Sequence, residues 1–108
     1  MVSGGGGEHG ASPEAVVLDL VASVPPGRAT TYGDLARLAS DLCPRPVTAR
    51  TVGRILATRG AQVPWWRVVG HDGRLPPGLG EQAASRLAAE GCPLRAGRVD
   101  LARARWRG

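Results

Sequence analysis

Apolar side chains recur at helical spacing in four stretches of the chain. Val16, Val17, Leu20, Val21 and Val24 form the first stripe, with the three-and-four spacing of an amphipathic helix. Ser12-Pro13-Glu14 supplies its start: a cap, a proline in the first turn and an acid at the positive end of the dipole. Pro25-Pro26-Gly27 ends it. A second, shorter helix is predicted from near Thr31 through Asp34, Leu35, Leu38 and Ala39, before Pro44 and Pro46 break the chain. A third follows the N-cap Thr48 and covers Ala49 to about Thr58, with Ala49, Val52, Ile55 and Leu56 on one face. The fourth spans Glu81 to about Glu90, with Ala84, Leu87 and Ala88 turned inward. Gly91 ends it and Pro93 prevents its resumption. Between the first two helices, Arg28 to Gly33 is a short connection with room for one extended residue pair. Residues 95–107 read as a short strand or loop that packs back on the domain.

The second and third helices, joined by a tight linker, read as a helix-turn-helix in a mainly α, winged-helix-like domain. The third helix carries the more informative polar face. Arg50 and Arg54 are four apart and lie together on it, with Gly53 and Ala57 beside them. A glycine inside a helix costs about 1 kcal/mol relative to alanine. The missing side chain either lets a partner's backbone approach or accommodates tight helix packing. For the two arginines the alternative is an ordinary solvated face.

Between the third and fourth helices lies Val63-Pro64-Trp65-Trp66-Arg67-Val68-Val69, with two of the three tryptophans in the chain. Read as an extended segment, it sends adjacent side chains opposite ways. One tryptophan is then expected inward and the other toward a pocket or partner. The alternative is that both anchor the core of a domain that has no phenylalanine. The loop after it, from Gly70-His71-Asp72-Gly73-Arg74 to Gly80, is rich in turn residues.

Composition sharpens this picture at a few points. The 108 residues suit one domain, expected over residues 12–108 after a disordered Gly-rich tail at 1–11. The formal charge is +5, and all 14 basic residues are arginine. Residues 28–74 hold eight arginines against three acids, which accounts for a charge equal to that of the whole chain. Arginine forks suit phosphate and base recognition, although a GC-rich coding sequence produces the same bias. Five further arginines lie in 95–107, read as solvated or weakly contacting DNA. Cys43 and Cys92 form neither a CxxC pair nor part of a ligand cluster, and His9 and His71 are far apart. No metal or other cofactor is expected. Without a signal peptide or a membrane-length apolar run, the protein is expected to be cytoplasmic, and nucleoid-associated if bacterial. No heptad suggests dimerisation, so a monomer is expected.

Three segments, taken in order, resemble one family. Thr31-Tyr32-Gly33-Asp34-Leu35-Ala36, then Ala49-Arg50-Thr51-Val52-Gly53, then Pro64-Trp65-Trp66-Arg67-Val68-Val69-Gly70 with Asp72-Gly73-Arg74-Leu75 are similar to the C-terminal DNA-binding domain of O6-alkylguanine-DNA alkyltransferases. The resemblance covers roughly residues 13–92. Active members carry Pro-Cys-His-Arg-Val at the third segment, where the thiolate takes the alkyl group and the histidine helps deprotonate it. Here Trp65 stands at the cysteine position and Trp66 at the histidine position. An indole provides neither a thiolate nor a useful base. A tryptophan at the nucleophile position instead resembles the alkyltransferase-like proteins. These bind O6-alkylguanine in duplex DNA, flip the damaged base and hand the site to nucleotide excision repair. Their usual motif is Pro-Trp-His-Arg, so Trp66 is a further departure.

The resemblance implies roles residue by residue. Arg50 is the finger that fills the gap left by the flipped base. Tyr32 rotates the target nucleotide near its 3′ phosphate, and Gly53 and Arg54 share the DNA-facing helix. Tyr32, Trp65, Trp66, Arg67, Val68 and Arg74 make up the lesion pocket. Within it Arg67 braces the pocket, and Arg74 is the positional candidate for probing the flipped base. Expected partners are duplex DNA with alkylated guanine and excision-repair proteins. Three alternatives remain: a true alkyltransferase recruiting a distant cysteine, a major-groove helix-turn-helix regulator, and a small interaction module.

Overall fold

A computed structural model describes residues 12–108, so the expected tail at 1–11 lies outside the described residues. Helix α1 (Pro13–Ser23) starts where the Ser12 hydroxyl accepts from the Ala15 amide. It buries Val16, Val17 and Val21, with Val24 buried at its C-cap. The two-residue strand β1 (Thr30–Thr31) leads directly into α2 (Tyr32–Leu42). The Thr31 side chain caps α2 by accepting from the Asp34 amide at 3.0 Å. The 43–48 linker is held by Ser40, whose hydroxyl donates to the Val47 carbonyl and accepts from the Val47 amide. Helix α3 (Ala49–Arg59) then begins at the Thr48 cap, so the helix-turn-helix reading matches the observed elements. On α3, Val52 and Ile55 are buried and Leu56 is half-buried, but Ala49 is exposed, since the first turn projects beyond the core.

A 3-10 turn at Gly60–Gln62 and a second at Trp65–Arg67 lead into β2 (Val68–Val69). Strands β1 and β2 pair in parallel, Thr30 with Val68 and Thr31 with Val69. This two-residue seam divides the core. Neighbouring residues on a strand face opposite ways. Val68 therefore joins α1, α2 and α3 in one cluster, while Val69 joins Ala29, Leu87, Cys92, Val99 and Ala104 in another.

The second cluster is closed by the C-terminal third. Helix α4 (Gly80–Ala89) buries Ala83 and Leu87. Leu87 is inward as expected, but Ala83 is buried where Ala84 is only half-buried, and Ala88 is exposed. The sparse apolar pattern, mostly alanine, left the phase of the helix poorly determined. Strands β3 (Leu94–Arg95) and β4 (Arg98–Val99) form an antiparallel hairpin, followed by α5 (Leu101–Ala104). The stretch expected as a single strand or loop is therefore a small wing and a helical turn. It does pack back: Arg105 bridges Ala29, and the Trp106 amide donates to the Ala29 carbonyl. Among the described residues no helix is long and apolar enough to cross a membrane.

Candidate nucleic-acid interface and lesion pocket

The third helix presents its basic face as expected from its spacing. Arg50 and Arg54 are exposed, and neither takes part in an ion pair among the described residues. Gly53 lies between them. A Cβ added there would meet nothing within 4 Å. Helix packing therefore does not account for this glycine, and the face above it is open.

The tryptophan segment is a 3-10 turn rather than an extended run, so the opposite-facing argument does not apply. Both rings are half-buried, in edge-to-face contact with centroids 5.8 Å apart at 86°. Trp65 packs into neither core cluster. It lies against the end of α3, where a Cβ on Gly60 would sit 3.5 Å from its own Cβ. Trp66 packs on the second cluster, and its indole N–H donates to Glu90 at 3.0 Å.

Glu90 is the centre of this arrangement, and the sequence reading gave it no role. It sits just past the end of α4. Its carboxylate accepts from Arg67 Nε at 3.0 Å, from Arg67 Nη2 at 2.5 Å, from Trp66 and from the Gly27 amide. Arg67 also donates to the Val24 carbonyl at 2.9 Å, tying the turn to the end of α1. Burial raises the Glu90 pKa, but the Arg67, Trp66 and Gly27 hydrogen bonds outweigh it and hold the carboxyl below its ordinary value. Gly27 is needed for this contact: its φ is +84°, and a Cβ there would come within 3.1 Å of the Glu90 carbonyl.

The remaining candidates are spread more widely. Tyr32 opens α2 directly after the seam and is half-buried. Burial raises its pKa, so the phenol stays protonated and available as a donor. Val68, paired with Thr30 across the β1–β2 seam, is fully buried in the first cluster and contributes no exposed surface. Arg74 is exposed and bonded to Asp72, which also binds Arg98 of the wing. Of the five tail arginines, Arg95, Arg98, Arg103 and Arg107 are exposed, and Arg105 alone is less solvated than expected. Arg105 donates to the buried Asp34 from Nε at 2.8 Å and Nη2 at 3.1 Å. A hydrogen bond from Arg105 is the largest influence lowering the Asp34 pKa.

Two clefts open elsewhere on the surface. One of about 490 Å³ lies between the wing, Asp72 and Asp100. One of about 380 Å³ lies between α1 and α3 beside Arg54. Neither is lined by Tyr32 or by the tryptophans. Among the described residues there is no group of three side chains able to hold a metal ion.

A helix-turn-helix with an open basic face on its second helix, and an aromatic turn against the end of that helix, defines a DNA-binding domain. The family of the 6-O-methylguanine DNA methyltransferase DNA-binding domain matches residues 13–92. The chain belongs to that family and is of the alkyltransferase-like type. It is 39% identical over 95 residues to the DNA base-flipping protein of Escherichia coli, covering 83% of this chain and 70% of that protein. Its fold is similar to that of S. pombe Atl1 in complex with damaged DNA containing O6-carboxymethylguanine. That match has a TM-score of 0.72 and 28% identity, and covers 89% of this chain and 95% of the other. A second structure, of the S. pombe protein in complex with DNA, matches with a TM-score of 0.70 and 27% identity over 88% and 94% of the two chains.

Proposed function

We propose that this protein recognises O6-alkylguanine in duplex DNA, flips the damaged nucleotide toward Trp65, and transfers nothing. The observation that carries the reading is Trp65 itself. It stands at the nucleophile position of the family motif, outside both core clusters, in a turn braced by Arg67 and Glu90. An indole there offers a stacking surface and no nucleophile to accept an alkyl group. Stacking on an aromatic is worth about 1–3 kcal/mol per base, against a flipping cost of a few kcal/mol that is smallest for a damaged base. An O6-alkyl group removes the N1 proton and weakens pairing, so selectivity arises without a reaction.

Neither cysteine replaces the missing nucleophile. Cys92 is buried, and desolvation together with the Glu90 charge raises its thiol pKa, which disfavours the reactive thiolate. Cys43 packs against the cluster formed by α1, α2 and α3. Arg50 and Tyr32 are assigned the gap-filling and nucleotide-rotating roles by their motif positions, and the open face at Gly53 suits close approach to a groove. A protein that holds a lesion without removing it needs a second activity to complete repair. Excision repair of the marked site by other proteins fits that need, with one monomer per lesion.

Intact-mass measurement after incubation with an O6-methylguanine duplex tests the absence of transfer. The protein mass and the lesion are expected to be unchanged while the complex forms. A gain of one methyl group on the protein would overturn the reading. Arg50→Ala and Tyr32→Ala are expected to weaken binding to the alkylated duplex more than to the unmodified one.

A further inference from the structure

One cation beside the tryptophan pair forms no ion pair among the described residues. Arg86 projects from α4 and is exposed, with its Cζ 4.6 Å from the centroid of the Trp66 ring. Arg67 approaches the same ring at 5.4 Å. The two guanidiniums differ in what neutralises them. Arg67 is held by Glu90. Arg86 takes part in no ion pair among the described residues, although Glu90 lies only one turn further along. The Glu90 oxygens are already occupied by Arg67, Trp66 and Gly27. Stacking fixes a guanidinium in place but leaves its edge N–H donors free.

Trp66 is what makes this possible. Tryptophan is the best aromatic partner for a cation, and its N–H bond to Glu90 anchors the ring. A ring covered by guanidinium and anchored at its edge is not a platform for a base. Trp66 is instead the plate that carries Arg86, and it touches Trp65 edge to face.

Resting on the lesion-binding reading above, we propose that Arg86 is an anion-binding, specificity-determining residue beside the pocket. It receives an oxyanion that arrives with the flipped nucleotide. The oxyanion has two possible sources, the carboxylate of an acidic O6 substituent and a phosphate flanking the extruded nucleotide.

The test compares wild type, Arg86→Gln and Arg86→Lys on matched duplexes carrying guanine, O6-methylguanine or O6-carboxymethylguanine, over a range of salt concentrations. A charge-assisted hydrogen bond predicts about a tenfold loss of affinity for the Gln variant, with the Lys variant in between. A loss confined to the carboxymethyl duplex identifies the substituent carboxylate. An equal loss on all three duplexes, with the salt slope reduced by about one, identifies phosphate. Affinities within about twofold of wild type on every duplex, at unchanged slope, would overturn the proposal. If wild type itself fails to distinguish alkylated from unmodified guanine, the lesion reading fails. An equal loss in the Gln variant would then still establish the anion contact.

Discussion

Gly53→Ala separates the stability of the third helix from its use. Glycine inside a helix is less favourable than alanine by about 1 kcal/mol. At most positions a clash offsets part of that gain. Here the added methyl would meet nothing within 4 Å, so the gain should appear undiminished. For a domain of this size that is a rise in Tm of about 4–8 °C. On DNA the same methyl would stand between Arg50 and Arg54 on the face proposed to enter the groove. Overfilling a packed contact costs about 1–3 kcal/mol, so affinity should fall by about 5-fold to 150-fold. Thermal melts followed by circular dichroism give the first quantity, and fluorescence anisotropy with a labelled O6-methylguanine duplex gives the second. A variant that is more stable and binds as tightly as wild type would refute the close approach. It would leave Gly53 without a role at the interface.

Glu90→Gln should leave Arg67 charged and uncompensated with only 12% of its side chain exposed, costing about 3 kcal/mol by urea denaturation. Glu14→Gln, at a half-exposed pair, should cost under about 1 kcal/mol. The folded pKa values of Glu90 and Asp34 lie below their ordinary 4.5 and 3.8. Their stabilisation is therefore fully present above those values and is lost as pH falls through the folded values, a loss that Glu90→Gln should reduce in an acid titration. Ala96 turns the wing with a φ of +53°, so Ala96→Asn should raise the unfolding free energy, measured by urea denaturation, by up to about 1 kcal/mol. Asp34→Asn should destabilise by about 2–3 kcal/mol and loosen the Arg105 strap, seen as faster amide exchange in residues 104–106.

The parts of this molecule legible in its sequence were those with strong local signals. The caps at Ser12 and Thr48 and the apolar stripes placed the first three helices, the second of them from near Thr31. The ordered motif segments pointed to the family that the chain belongs to. What was not legible depended on contacts between distant residues. Nothing near Glu90 announces that Arg67, Trp66 and Gly27 converge on it from up to 63 positions away. The Asp34–Arg105 pair spans 71 positions, so a tail arginine that looked solvated proved to be structural. At the tryptophans, Pro64 and two aromatics favour extended backbone locally, which is what the sequence suggests. The chain instead closes a 3-10 turn there, with the Arg67 amide donating to the Pro64 carbonyl.

The central claim is lesion recognition without chemistry, and its most direct test is a fluorescence titration with two duplexes identical except for guanine or O6-methylguanine at one position. Trp65 is half-buried, so its emission should report a base arriving beside it. The account predicts tighter binding to the alkylated duplex and a tryptophan signal change specific to it. Equal affinity and an identical signal for both duplexes would contradict the account, leaving a basic DNA-binding domain with no preference for damage.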